Sequence, residues 1–185
     1  MLPELPIQRP FAAIGIQSRL NLAINLSAKT LSDPGLADLV ERSFTEAGVA
    51  PSRASFEITE TAMIRNLTQA RELILRIKSF GCRFALDDFG CGSSSLSYLR
   101  DLPVDFLKID GSFIQSIATD PINRALVKSI NDVAHVLGKQ TVAEYVVNSD
   151  VLRVVQELGI DFVQGYHVCA PAPPSAFFPQ PRGLS

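Results

Sequence analysis

The chain is poor in the residues that build disulfide frameworks and transition-metal centres. Its 185 residues include 3 cysteines and 2 histidines. Cys82, Cys91 and Cys169 are odd in number and have no paired spacing. That argues against a disulfide scaffold and a zinc cluster, and for a reducing compartment. His135 falls inside an apolar-periodic segment, where a structural role is expected, and His167 follows a strand end. An excess of one charge is also lacking, since 17 Lys and Arg face 19 Asp and Glu, a net charge of −2. No bulk field favours a nucleic-acid polymer as partner. No apolar run approaches the length of a membrane span. The segment Met1–Pro6 has no basic stretch leading into an apolar one, so no signal peptide is expected. Together these absences predict a cytoplasmic protein.

What is present is a rhythm. With 46% hydrophobic and 19% charged residues, the composition suits one globular domain with its own core. Apolar runs of strand length recur at 20–26, 54–58, 83–86, 106–109, 140–143 and 162–164. Helical spacing separates them. A helix is expected from Pro34, with Asp33 as its N-cap, to near Gly48. Others are expected at 68–80, 123–137 and 151–158, with a short turn or helix at 94–99. Gly48, Gly81, Gly138 and Gly159 are placed to stop the four longer ones. In the helix at 123–137, the expected apolar face is Ala125, Leu126, Ile130, Val133, Ala134 and Leu137. Strand alternating with helix predicts an α/β fold with a parallel sheet. The best match is a TIM-like β/α barrel, incomplete at its N-terminus, with about six of its eight strands. Residues 1–20 are read as an N-terminal segment ending the helix before the first strand, 21–173 as the barrel domain, and 174–185 as a proline-rich tail.

The strand ends carry the chemistry. Asn25, Glu57, the adjacent pair Asp87 and Asp88, Lys108, Glu144 and Gln164 each stand where an apolar run stops. In a parallel barrel those ends converge on the face where active sites are built. Taken singly, Asn25, Glu57 or Gln164 is more often a cap or turn residue than a ligand. As a set they offer hard oxygens with no thiolate or imidazole, which suits Mg²⁺ or Mn²⁺. Crowded carboxylates repel, and a divalent cation between them removes that penalty. One lysine among acids can hold a water or a phosphate oxygen. This is an inventory for metal-assisted phosphodiester hydrolysis. Asp88-Phe89-Gly90 alone would suggest a protein kinase, but no glycine-rich phosphate loop or catalytic-loop motif accompanies it.

Several segments together resemble the EAL domain, the bacterial cyclic di-GMP phosphodiesterase module. They are Ile24-Asn25-Leu26-Ser27, Phe56-Glu57-Ile58-Thr59-Glu60, Leu86-Asp87-Asp88-Phe89-Gly90, Ser94-Ser95-Leu96-Ser97-Tyr98-Leu99, Leu107-Lys108-Ile109-Asp110, Val142-Ala143-Glu144 and Val163-Gln164-Gly165-Tyr166. The resemblance implies metal contacts from Asn25, Glu57, Asp87 and Glu144, with Asp88 serving a second ion. It implies Lys108, Glu144 and Asp88 as the catalytic group, with Gln164 and Asp110 on the substrate. Glu60 would brace the loop Asp88–Ser95, which in this family couples the site to a dimer surface. The implied partners are cyclic di-GMP and either a second copy or a companion signalling domain.

The chain also departs from the family pattern. It contains no Glu-Ala-Leu followed by Leu-Arg, the motif that supplies one metal-binding glutamate and a substrate-contacting arginine. Glu4-Leu5-Pro6 does not replace it, because about twenty residues before Asn25 are too few for a strand, a crossover helix and a return. Tyr145 stands where the family has glycine, Val147 where it has a second acid, and Gly111 and Ala170 where basic residues are frequent. Cys91 and Ser93 replace the usual threonine and tyrosine. The expectation is an N-terminally truncated, degenerate EAL domain with impaired phosphodiesterase activity. A non-catalytic cyclic di-GMP sensor or protein-interaction module, and an inactive gene fragment, stand as alternatives.

Overall fold

The computed structural model describes residues 21–91 and 96–173. The expectations for 1–20, 92–95 and 174–185 lie outside the described residues. Six strands run parallel in chain order: β1 (Leu22–Leu26), β2 (Ala54–Thr59), β3 (Arg83–Phe89), β4 (Phe106–Ile109), β5 (Gln140–Ala143) and β6 (Phe162–Val163). Each pairs with its sequence neighbours, and among the described residues β1 and β6 form the two edges. This is the sheet of a β/α barrel left open on one side.

Alternation along each strand decides what faces where. Phe56 and Ile58 on β2, Phe84 and Leu86 on β3, and Leu107 and Ile109 on β4 turn outward and are buried. Phe56 and Phe84, register partners, stack with ring centroids 5.5 Å apart. The interleaved residues Glu57, Ala85, Phe106 and Lys108 line the inside. The outer face is covered by α2 (Leu36–Ala47) and α4 (Leu67–Ser79), through Leu36, Val40 and Phe44 and through Ala70, Ile74 and Ile77. Further along the sheet, α7 (Pro121–Val136) and α8 (Ser149–Glu157) cover it through Val127, Ala134, Val151, Val154 and Val155. Each of the larger side chains among these, fully buried, contributes roughly 1.5–3 kcal/mol.

Two helix expectations need correction. α2 begins at Leu36, not Pro34, because the Asp33 carboxylate accepts from the Gly35 N–H at 2.8 Å and commits Pro34-Gly35 to a turn. α7 begins at Pro121, with Asp120 as N-cap accepting from Ile122 and Asn123. The face that α7 turns inward is Val127, Ile130, Asn131 and Ala134, whereas Ala125 and Leu126 are exposed. Asn131 fits this apolar stripe because its polar atoms are all engaged. It donates to the carbonyls of Leu158 and Gly159 and accepts from the Thr141 hydroxyl at 2.5 Å. Gly48, Gly81, Gly138 and Gly159 follow their helices with positive φ, as expected of helix stops. Four short α-helices, α1 (Ala28–Leu31), α3 (Glu60–Ile64), α5 (Leu96–Leu99) and α6 (Gly111–Ile114), and a 3₁₀ turn at Pro51–Arg53 complete the elements among the described residues. Among the described residues no helix is long and apolar enough to cross a membrane.

The N-terminal end of the sheet is tied by hydrogen bonds. Asp105 pairs with Lys78 at 2.5 Å and accepts from the Phe84 N–H at 2.9 Å. Buried Lys139 donates to the carbonyls of Leu102 and Val104. Asp161 accepts from the Thr141 N–H at 2.7 Å and pairs with His135 at 2.8 Å, which gives His135 its structural role. Burial pushes the Asp161 carboxyl up, but hydrogen bonds from Thr141 and His135 outweigh it and hold it below its ordinary 3.8. Its stabilisation is therefore complete above the ordinary value and fades as pH falls through the lower folded one. Asp161→Ala should lose about 1–3 kcal/mol at pH 7, because it orphans the N–H of fully buried Thr141. The deficit should narrow near pH 3. Urea melts at both pH values read it, and a deficit unchanged between them would rule out the carboxylate charge as its cause.

Candidate active site

The centre of the inner face is Lys108. Its Nζ lies 3.0 Å from Glu57 Oε2, 2.7 Å from Asp87 Oδ1 and 2.9 Å from Glu144 Oε1. These partners come from β2, from β3 and from the residue after β5, and the lysine side chain itself is 6% exposed. Register brings them together: Lys108 is level with Val142, two residues before Glu144. Burial alone would lower the Lys108 pKa, but its bonds to Asp87 and Glu144 and the charges of Glu144 and Glu57 raise it above the ordinary value. The lysine stays charged.

The strand geometry breaks where acids must gather. In a regular strand Asp87 and Asp88 would point to opposite faces. β3 instead shifts register between Leu86 and Phe89, and Asp88 adopts a left-handed φ of 55°. As a result, ligand oxygens of Asp87, Asp88 and Glu144 all lie within 4.8 Å of one another. Burial pushes the Glu144 carboxyl up, the bond from Lys108 draws it down, and the charges of Asp87 and Asp88 leave it raised. Burial and the charges of Asp87 and Asp88's other neighbour, Asp110, push the Asp88 carboxyl up against the pull of Lys108. The group has four acids, counting Glu57, against one lysine. Oxygens on opposite sides of a Mg²⁺ ion stand about 4.2 Å apart, so the trio could close on a Mg²⁺ or Mn²⁺ ion with little movement.

The remaining candidates are placed as follows. Asn25 is level with Glu57 on the edge strand and exposed. Gln164 is exposed at the end of β6 and lines the interior beside Lys108. Asp110 is the N-cap of α6, accepting from the Ser112 N–H at 2.8 Å. Burial pushes its carboxyl up, but bonds from Ser112, Cys91 and Gly111 hold it below the ordinary range. Burial and the neighbouring Asp110 and Asp88 push the Cys91 thiol up to about 11, which leaves it protonated and unreactive at neutral pH. Glu60 is buried and accepts from the Gly90 N–H at 3.1 Å and from the Tyr98 hydroxyl, joining both flanks of the loop after β3.

Sequence reasoning missed the torsion of Asp88. Asp88 and Tyr145 are the non-glycine residues with positive φ among those described; Asp88 belongs to the acidic trio and Tyr145 follows its Glu144. Such torsions gather at functional sites. The one available signal was Tyr145 in place of a glycine.

The sequence matches the EAL domain over residues 8–171. The chain belongs to the EAL domain family. It is 36% identical over 97% of its length to the cyclic di-GMP phosphodiesterase PdeB of Shewanella oneidensis, of which it spans 22%. It is 37% identical over 94% of its length to the cyclic di-GMP phosphodiesterase RocR of Pseudomonas aeruginosa, of which it spans 44%. Among solved structures, a complex of the phosphodiesterase PaMucR with cyclic di-GMP superposes with a TM-score of 0.81 at 32% identity, covering 85% of this chain and 64% of that one. The open six-stranded sheet is thus an incomplete barrel of the EAL type.

In this EAL domain Asp87 and Glu144, two carboxylates of the acidic trio, are already paired with Lys108, so a cation bound there would have to compete with the lysine for them. Removing one partner of a buried ion pair costs about 3–5 kcal/mol. Lys108→Met should therefore lower the melting temperature by roughly 6–20 °C in the presence of a chelator. Mn²⁺ should restore more stability to Lys108→Met than it adds to the parent. Equal Mn²⁺ shifts in the two proteins would show that the cation binds elsewhere.

Proposed function

We propose that this chain binds cyclic di-GMP together with Mg²⁺ or Mn²⁺, and that its own phosphodiesterase turnover is impaired. The observation that carries this reading is the convergence of Glu57, Asp87 and Glu144 on Lys108, with Asp88 turned in beside them by its left-handed torsion. Family membership and the named activities of the relatives support cyclic di-GMP as the ligand.

The reaction opens one phosphodiester: water adds to phosphorus, the bond to one ribose oxygen breaks, and that oxygen takes a proton. Bound divalent ions supply charge stabilisation to the attacking and leaving oxygens. Asp87, Asp88 and Glu144 would hold them, with Glu57 and Asn25 alongside. Lys108 would orient the water or a phosphate oxygen through a proton that it now gives to a carboxylate. Gln164 and Asp110 would face the substrate, and Glu60 would hold the loop after β3 in register with Asp88. Either a second copy or a companion signalling domain would engage that loop.

Impairment follows from the ligand count. The sequence has no Glu-Ala-Leu glutamate, and loss of one ligand that misplaces the water needs to raise the barrier by only about 2.7 kcal/mol to slow the reaction 100-fold. The same observation favours a cyclic di-GMP sensor as the second reading. The two divide on one measurement, linear dinucleotide formed from cyclic di-GMP with Mn²⁺. Turnover at least about 100-fold below the ordinary enzyme range of 1–10³ s⁻¹, abolished by Asp87→Ala, is expected. Full-range turnover would refute impairment. Calorimetric binding with no product at all would make the chain a sensor.

A further inference from the structure

An aromatic ring stands at the mouth of the open sheet. Tyr145 follows Glu144 with φ 52°, a torsion disfavoured for any residue with a Cβ. It is 57% exposed, yet one side of its ring is seated. A Cβ added to Gly111 would lie 2.3 Å from Tyr145 Cδ2 and 2.7 Å from Cγ. The ring therefore rests directly on the Gly111 backbone, beside Asp110 and three residues from Lys108. Glycine at 111 and tyrosine at 145 make one arrangement, since a side chain at 111 would evict the ring.

The space inside the sheet limits what the site can admit. The interior cavity lined by Ser55, Glu57, Phe106, Lys108 and Gln164, with their neighbours, is about 160 Å³. Ligand pockets run from roughly 300 to 1,000 Å³. A cyclic dinucleotide cannot enter it. With that volume too small for the whole ligand, its bases would lie outside it, at the mouth.

We propose that Tyr145 is a stacking platform for a guanine base of cyclic di-GMP, fixing where the phosphodiester sits above Asp87, Asp88 and Glu144. The assignment rests on the function proposed above. The ring rests on Gly111 and the residue is 57% exposed, which leaves surface for a flat purine. Tyr145 acts as a positioning residue and takes no part in bond making.

The test is titration of cyclic di-GMP with Mn²⁺ into the parent, Tyr145→Phe, Tyr145→Gly and Gly111→Ala. Removing one base stack weakens affinity about 5- to 150-fold. That loss is expected in Tyr145→Gly, which also relaxes the left-handed torsion and so keeps the fold. It is expected again in Gly111→Ala, where the new methyl displaces the ring, with a thermal melt confirming that the variant is folded. Tyr145→Phe should stay within about twofold of the parent. The chain has no tryptophan, so tyrosine emission is readable, and its quenching by the bound purine should diminish in Tyr145→Phe although binding persists. Parent-like affinity in Tyr145→Gly overturns the platform and leaves the proposed function standing. Equal losses in Tyr145→Phe and Tyr145→Gly would assign the effect to the hydroxyl and overturn stacking. A parent that takes up no cyclic di-GMP overturns the functional reading, and the platform with it.

Discussion

Everything at the C-terminal end of the sheet depends on one buried charge. Glu57, Asp87 and Glu144 could not stand this close on a low-dielectric inner face without a cation among them. Lys108 supplies it, with all three contacts at 3.0 Å or less. The lysine is in turn fixed by the outward neighbours on its strand. Leu107 and Ile109 are fully buried against the helices, so Lys108 between them can only point inward. Hydrophobic burial on one face of β4 thus sets the electrostatics on the other.

The two ends of the sheet are built on opposite principles. At the N-terminal end, Asp105, Lys139, Asp161 and Thr141 are joined by hydrogen bonds to backbone and side chains, and β4 and β5 keep an even register. At the C-terminal end the register of β3 slips, two residues adopt left-handed torsions, and four acids face one lysine. Barrels of this type divide stability and chemistry between their ends in the same way. The satisfied end holds the strands firmly enough for the other end to stay strained and charge-rich.

The strands were legible in the sequence because each is an apolar run closed by a polar residue, and the observed bounds of β4 and β5 coincide with the expected ones. The helices α1, α3 and α6, at four or five residues, are too short to show a period. On α7 a polar residue, Asn131, occupies the buried stripe, and that shifted the apparent apolar face towards Ala125 and Leu126. Lys108, Glu57, Asp87, Asp88 and Glu144 were visible as strand ends. Their threefold pairing was not, since it depends on register across four strands. Nor was the cap role of Asp110, because an acid before a four-residue helix looks like any other acid at a strand end.

The acidic group and the loop after β3 form one mechanical unit. Asp88 is two residues from Gly90, whose N–H is held by Glu60, and Glu60 lies three residues past Glu57. Movement of Gly90 is restricted on its far side, where a Cβ would lie 2.6 Å from the Phe113 ring. A shift of Asp88 towards a cation therefore has little room to dissipate at Gly90. The Glu60 carboxylate that holds Gly90 also accepts from the Tyr98 hydroxyl at the other flank of the loop. Two of the three carboxylates that Lys108 holds, Asp87 and Glu144, belong to the acidic trio, so a cation entering there would meet them already paired.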